Sequence, residues 1–205
     1  MAIVALALLI AAPSANAENK LLKKAQKKEY KQKMKEYNKG GWQIFGSSHS
    51  LDVALLTHYE KLSEDGVTEV MGQATSGDKR IGRDRLLMSA CVEYAQKSGS
   101  HIKGRIVEDM GSVIGTDEME EFNHFYEAYE NAVNSEIKGE LRSSYAVYRP
   151  IKINGKDAYE FQAYYIVNEN EASKARIRAF QNAAKESAVA QKYAEQVSDF
   201  IKEGF

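Results

Sequence analysis

The chain has 205 residues, of which 43% are hydrophobic and 28% charged, a composition that excludes disordered and fibrous proteins and indicates a folded globular one. Only two prolines occur, which argues against a long disordered linker. The net charge of −1 hides a strong asymmetry, because residues 18–39 contain nine lysines and three glutamates. That segment therefore carries +6 and leaves −7 for residues 40–205.

The first seventeen residues are typical of a secretion signal peptide. The apolar run from Ile3 to Ala12 is too short to span a bilayer, and the small residues of Ala15-Asn16-Ala17 form a cleavage site after it. A buried N-terminal helix is the less favoured alternative, because a polar segment follows at once. No basic residue precedes the run, which leaves open a translation start upstream of Met1. We expect a soluble mature protein that begins near Glu18, has no transmembrane segment and is periplasmic or secreted.

The chain contains a single cysteine, Cys91, so no internal disulfide can form. No cysteine follows the apolar run either, where a lipid anchor would need one. Cys91 lies on the apolar side of a predicted helix, a place where free cysteine packs as a small hydrophobic residue. A reactive thiol needs an electropositive and partly exposed setting, so we predict a structural role for Cys91.

Residues 18–39 are predicted to form a basic helical arm, which Gly40-Gly41 terminates. Its apolar residues recur at spacings that a helix places on one side: Leu21, Leu22, Ala25, Tyr30, Met34 and Tyr37. Two interpretations are open. Either this stripe docks on the body of the protein and the lysines are solvated, or the lysines bind an anionic polymer or the acidic face of a partner. The candidate binding residues are Lys23, Lys24, Lys27, Lys28 and Lys31.

Residues 40–205 are predicted to form a single α+β domain in which helices pack on a small antiparallel sheet. Trp42 to Phe45 is a short strand or docking segment, and Ser50 is the N-cap of a helix. Alternation over Thr68 to Thr75 predicts a strand. One side of that strand carries Val70, Gly72 and Ala74.

Two long helices are predicted in the middle of the chain. The first begins near Ile81, and its wide apolar face predicts a central place in the core; that face holds Leu86, Leu87, Ala90, Cys91, Val92, Tyr94 and Ala95. Beyond this helix, apolar residues recur at a spacing of four over residues 101–110, which favours a resumed or kinked helix over a strand. The second helix covers residues 117–137 and repeats apolar residues at three and four: Met119, Phe122, Tyr126, Tyr129, Val133 and Ile137.

The last third of the chain is predicted to contain a hairpin and a long helix. The β-rich segments Leu141–Tyr148 and Ala158–Val167 flank Asn154-Gly155, which is typical of a type I′ turn. One face of the second strand would hold Tyr159, Phe161, Ala163, Tyr165 and Val167. A long C-terminal helix is expected from Glu171 to Lys202.

The patterns that could carry chemistry are weak. Glu121 and His124 have the Glu-x-x-His spacing of di-iron helices, but the second copy that such a site needs is missing and His124 falls on the polar side. Ser47, Ser48 and His49 fit a turn and a helix cap better than a nucleophile with its base, since no Gly-x-Ser-x-Gly elbow accompanies them. We therefore predict no catalytic residue, no metal site and no cofactor.

The basic cluster around Arg83-Asp84-Arg85, with Lys79 and Arg80, could bind phosphate near the N-terminus of a helix. A solvated helix end explains the cluster equally well, because no glycine-rich cradle follows a strand there. Both interpretations are open.

A family resemblance covers about half of the chain. The strand Glu69–Ala74 is followed by a helix with Arg85, Ala90 and Tyr94-Ala95 in their spacing, a second amphipathic helix, and a hairpin from Tyr145 to Val167. This order resembles the lipoprotein-20-like family of bacterial envelope proteins, whose fold is similar to the N-terminal domain of the flagellar motor's H-ring T protein. The resemblance implies a helix pair on a small antiparallel sheet and brings no catalytic residues. The chain departs from the family in lacking a lipid-anchoring cysteine.

The sequence thus predicts a non-enzymatic exported envelope protein with a structural, assembly or partner-binding role. Its partner would be another envelope protein or a second copy of the chain, and no nucleic acid is expected. The alternative is a binding module for an anionic envelope polymer, peptidoglycan or lipopolysaccharide, through the lysine-rich arm. An enzyme whose site is dispersed along the chain is the third hypothesis.

Overall fold

The computed structural model describes residues 15–204, with side chains from Lys23 onward. The predicted signal peptide thus lies largely outside the described residues. The helices are α1 (Ala15–Gly40), α2 (Leu51–Leu62), α3 (Lys79–Met110), α4 (Thr116–Glu136), α5 (Glu169–Ala183), α6 (Ala188–Lys192) and α7 (Ala194–Glu203). The strands are β1 (Gln43–Ile44), β2 (Val67–Ser76), β3 (Arg142–Ile153) and β4 (Lys156–Asn168), and 3-10 turns cover Ile137–Gly139 and Ala184–Glu186. The α+β class is confirmed.

The four strands form one antiparallel sheet in the order β1-β3-β4-β2. The predicted hairpin joins β3 to β4, and both of its turn residues have positive φ, 50° at Asn154 and 77° at Gly155. Only a type I′ turn combines those two angles with the twist of the strands. The register between β3 and β4 shifts between Ser143 and Tyr145, so Ser144 occupies a bulge.

Helices α3 and α5 pack on one face of the sheet, α4 and α7 pack against these two helices, and together they form the main core. The face predicted for β4 points into this core, with Phe161 fully buried. Gly72 of β2 is required here, because a Cβ at that position would lie 2.0 Å from the carbonyl oxygen of Leu86 in α3. The strand and helix backbones therefore approach more closely than any side chain would permit. Val92 is a correction to the predicted apolar face of α3, since its side chain is exposed.

Residues 101–110 are helical, the alternative that the sequence favours over a strand, but they continue α3 through residues 98–100 without the expected interruption. Close packing against α4 explains why small residues stand there. The Ser98 and Tyr129 hydroxyls lie 2.8 Å apart, and a Cβ at Gly99 would clash with the side chain of Glu130. The small residues therefore serve the contact between two helices and do not end the first one.

The prediction of one continuous C-terminal helix was wrong. The segment is helical, but it is divided into α5, α6 and α7. Ser187 adopts an extended conformation (φ −127°, ψ 112°), and its hydroxyl accepts a hydrogen bond from the amide of Ala190. Glu121 of α4 also accepts from the amide of Val189 at 3.0 Å. These caps start α6 and hold it against α4, and α7 then packs on α5 and α3.

Helices α1 and α2 cover the opposite face of the sheet and form a second, smaller core. Its buried members are Tyr37, Trp42, Ala54, Leu55, Tyr145, Val147 and Tyr164. The strands are therefore buried on both faces over part of their length. None of the helices within residues 15–204 contains an apolar stretch that would suffice for crossing a membrane.

Candidate functional site

Helix α1 is docked on the sheet through aromatic side chains. Tyr37 is fully buried, and its hydroxyl lies 2.9 Å from the Tyr145 hydroxyl of β3. Burial, and then the neighbouring tyrosines, raise the pKa of Tyr37 well above its usual range. Two turns earlier the Tyr30 hydroxyl donates to Oδ1 of Asp52 at 3.0 Å, and Met34 packs between them against the same core. The docking interpretation of the stripe thus holds for these three residues.

The stripe is shorter than the sequence pattern indicates. Ala25 is exposed, and the side chains of Leu21 and Leu22 lie outside the described part. The docked segment therefore extends from Tyr30 to Tyr37. The contact is mainly aromatic and apolar, and Lys33 contributes to it with its ammonium group 5.1 and 5.5 Å from the ring centres of Tyr37 and Tyr164. The exposed lysines of α1 are not used in this contact.

Exposed lysines recur at every fourth residue of α1, each turned about 40° further around the helix than the one before it: Lys23, Lys27, Lys31, Lys35 and Lys39. Four helical residues rise about 6 Å, so the row presents a positive charge at each such interval. Among the α1 residues with described side chains, the one ion pair is Lys33–Glu36 at 3.5 Å. We call these five residues the lysine row.

The structure divides the five candidate binding residues into two groups. Lys23, Lys27 and Lys31 belong to the lysine row and border a groove against α2. Lys24 and Lys28 are exposed but do not line this groove. Lys35 and Lys39 complete the row and were missed, although their spacing was visible in the sequence.

The groove lies between α1 and α2 and has a volume of about 500 Å³. Its α2 wall is formed by Leu56, Tyr59 and Glu60. Leu56 is 53% exposed, an unusual exposure for a large aliphatic side chain unless something covers it. Desolvation, helped by nearby carboxylates, raises the pKa of Tyr59 to about 12. The groove therefore has an apolar wall on α2 and a cationic edge on α1.

A polar cluster centred on the buried His58 joins α2 to the sheet, with Ser144 half-buried and Glu69 exposed. His58 is 1% exposed; its Nδ1 lies 2.9 Å from Oγ of Ser144, and its Nε2 lies 2.5 Å from Oε2 of Glu69. The rings of Tyr145 and Tyr164 stand edge-on to the imidazole at 5.1 and 5.9 Å. Sequence analysis missed the cluster because its members stand on three separate elements.

Serine, histidine and glutamate are also the residue types of an acyl-transfer triad. Such a site further needs a cleft at the nucleophile and donors for the oxyanion. Ser144 contributes to the lining of neither adjacent pocket, the groove between α1 and α2 or the pocket at Arg142 and Ile166. The geometry itself supports a structural connection between α2 and the sheet, because both ring nitrogens of His58 contact side chains of the strands and its ring packs against two tyrosines of the sheet.

The other sequence candidates have structural roles or stay exposed. His124 is exposed and Glu121 caps α6, and no group of three potential metal ligands occurs among the described residues. The amide of His49 donates to the Ser47 hydroxyl within a turn. Cys91 is 2% exposed, and burial raises the pKa of its thiol. The burial of Cys91 and the exposure of His124 agree with the sequence, whereas Glu121 differs from the predicted solvated face, because it accepts hydrogen bonds from Ser187 and Val189.

The basic cluster at the start of α3 offers no free helix terminus. The N-cap carboxylate of Asp78 accepts hydrogen bonds from the amides of Arg80 and Ile81 at 2.7 and 3.1 Å. Those are the amides that a phosphate at this terminus would use. The solvated helix end is therefore the better interpretation of this cluster.

Comparison of the chain with models of protein families, with curated proteins and with solved structures gives no match. The resemblance to the lipoprotein-20-like family therefore stays a prediction from the sequence.

Proposed function

We propose that this chain is a non-enzymatic protein of the bacterial envelope that binds an anionic envelope polymer through the lysine row of α1. The proposal rests on the different contacts of the two sets of α1 residues. Tyr30, Met34 and Tyr37 fix α1 on the sheet, while the lysine row faces solvent without carboxylates at ion-pair distance in the described structure.

A docked helix presents its charges at fixed spacing, which an unstructured basic tail does not do. The polymer then meets a preorganised row and loses less conformational freedom of the protein on binding. Phosphates or carboxylates of lipopolysaccharide or peptidoglycan are the complementary groups. The attraction acts between exposed charges, so it weakens as ionic strength rises.

Export is part of the proposal, because these polymers lie outside the cytoplasm. The apolar run before Ala15 and the small residues at Ala15-Asn16-Ala17 support it. Protein recovered from the producing cells should begin near Glu18, in the periplasm or the medium. A cytoplasmic species that retains Met1 would contradict this part.

The binding experiment uses point variants rather than removal of the arm, because removal would also delete the buried Tyr37. Retention of the processed protein on purified lipopolysaccharide and on peptidoglycan sacculi is compared with that of the Lys23→Gln, Lys27→Gln, Lys31→Gln triple variant. A matched control neutralises three exposed lysines elsewhere: Lys138, Lys152 and Lys156. We expect loss of retention only in the α1 variant. Equal retention of all three proteins would contradict the proposal.

An assembly role is the second candidate, and one surface feature favours it. Met88 and Val92 lie one turn apart on α3 and are 64% and 43% exposed. An apolar pair open to solvent is typical of a contact surface. Sedimentation velocity of the protein and of its Met88→Gln variant tests this role. If both proteins sediment as monomers at all concentrations, self-assembly of the chain is contradicted.

A further inference from the structure

The groove between α1 and α2 combines two chemically different walls. On α1, Lys23, Lys27 and Lys31 place ammonium groups at its edge, and on α2, Leu56 and Tyr59 offer carbon surface. Long lysine stems add further apolar area below the charged heads. Its volume of about 500 Å³ lies within the range of small-molecule sites.

Two hydrogen bonds join α1 and α2 at the groove. The side-chain amide of Gln26 donates to the backbone oxygen of Tyr59 at 3.5 Å, and the Tyr30–Asp52 hydrogen bond joins the helices one turn further along α1. These contacts keep α1 and α2 together without filling the space between them. Leu56 is left with about half of its surface uncovered.

We infer that the groove holds the acyl chain of an anionic lipid, with the phosphate of the headgroup against Lys23, Lys27 and Lys31. The headgroup should be anionic, because the groove residues include three lysines and only one acidic side chain, Glu60. The apolar wall selects the chain. The inference rests on the proposed function, since it uses the same lysines, and it narrows the anionic component to acylated molecules.

The test uses lysophosphatidylglycerol below its micelle concentration, titrated into the processed protein by calorimetry. Glycerol 3-phosphate supplies the phosphate without the chain, and lysophosphatidylcholine supplies the chain without net charge. We expect the first lipid to bind at least about tenfold more tightly than either comparison compound, because each of those lacks one of the two contacts.

Two substitutions on the exposed side of α2 distinguish the groove from the rest of the surface. Leu56→Gln should weaken lysophosphatidylglycerol binding by about tenfold, because it replaces the apolar contact. Val53→Gln is the control: Val53 is 46% exposed on the same helix and lies outside the groove lining. Equal affinity of wild type and Leu56→Gln would overturn the inference.

The outcomes separate this inference from the proposed function. Retention on peptidoglycan sacculi that depends on the lysines, together with no binding of lysophosphatidylglycerol, overturns the acyl site alone. No binding of any anionic probe overturns both. Two further results would also contradict the lipid: dimerisation that Leu56→Gln abolishes, or preference for an acidic amphipathic peptide over the lipid.

Discussion

The imidazole of His58 bridges two strands of the sheet, with Glu69 of β2 on its Nε2 at 2.5 Å and Ser144 of β3 on its Nδ1 at 2.9 Å. Because His58 belongs to α2, this bridge fixes the helix that forms one wall of the groove. Both ring nitrogens have partners, so the buried ring leaves neither nitrogen unsatisfied.

Replacing His58 by alanine should lower the free energy of unfolding by about 2–3 kcal/mol, because it removes two hydrogen bonds and leaves a cavity. His49→Ala is the matched control, since His49 is exposed, and it should change stability by less than about 0.5 kcal/mol. Urea unfolding measures both. Equal stability of the two variants would contradict the structural role of His58, and labelling of Ser144 by a fluorophosphonate probe would support a catalytic one.

A buried arginine makes a comparable connection in the main core. Arg176 of α5 is 1% exposed and donates to the backbone oxygen of Ile201, to the Tyr94 hydroxyl and to the carboxylate of Glu169. Arg176→Met should cost about 3 kcal/mol, because it leaves these acceptors without their charged partner.

The matched control for that variant is Arg178→Met, two residues along the same helix. Arg178 also pairs with two carboxylates, Glu136 and Glu140, but its side chain is 44% exposed. Exposed pairs contribute only about 0–1 kcal/mol. Thermal or urea unfolding should therefore rank Arg176→Met well below Arg178→Met, and the reverse order would contradict the assignment.

The thiol of Cys91 should react slowly in the folded protein and completely after denaturation. Burial raises its pKa, so the thiolate is scarce, and the sulfur is enclosed by the core. The control is a Cys91→Ala, Met88→Cys double variant, which moves the thiol to a position that is 64% exposed on the same helix. Labelling with a bulky maleimide compares the rates. Similar rates for the two proteins would place Cys91 at the surface.

Asp78 should make the stability of α3 dependent on pH in the acid range. Hydrogen bonds from the amides of Ile81 and Arg80 lower the pKa of its carboxyl below the ordinary 3.8. Because the folded pKa is the lower one, the stabilisation is complete above 3.8 and is lost as the pH falls through the folded value.

The substitution Asp78→Asn keeps a capping side chain and removes this titration. Wild type should exceed the variant in melting temperature at about pH 7, and the difference should shrink at about pH 2.5. Asp65→Asn, in the turn after α2, is the control. A difference that does not change with pH would show that the charge of Asp78 has no part in the cap.

The local elements were predictable because each depends on neighbours in sequence. Helix α4 followed from its apolar period, and the hairpin followed from Asn154-Gly155, whose positive φ angles few other pairs tolerate. The division of the C-terminal segment was not predictable, because alanine-rich sequence favours one helix and the break depends on contacts with Glu121 of α4.

The candidate site was predictable only in part. The sequence indicated which lysines cluster, and the spacing of Tyr30, Met34 and Tyr37 indicated a docked side. It could not indicate that α2 would lie beside α1, because the two helices meet through single contacts, Gln26 with Tyr59 and Tyr30 with Asp52, that no pattern in either helix specifies. The bridge by His58 likewise requires three elements to meet.

The most direct measurement of the central claim is the salt dependence of binding to purified lipopolysaccharide. The affinity of wild type should fall steeply as salt rises, because binding releases counterions from the polymer. Replacing Lys23, Lys27 and Lys31 by glutamine should make the negative slope of log affinity against log salt shallower by about two to three, while the variant with Lys138, Lys152 and Lys156 replaced keeps the wild-type slope. Equal slopes for wild type and the α1 variant would contradict the assignment of binding to the lysine row.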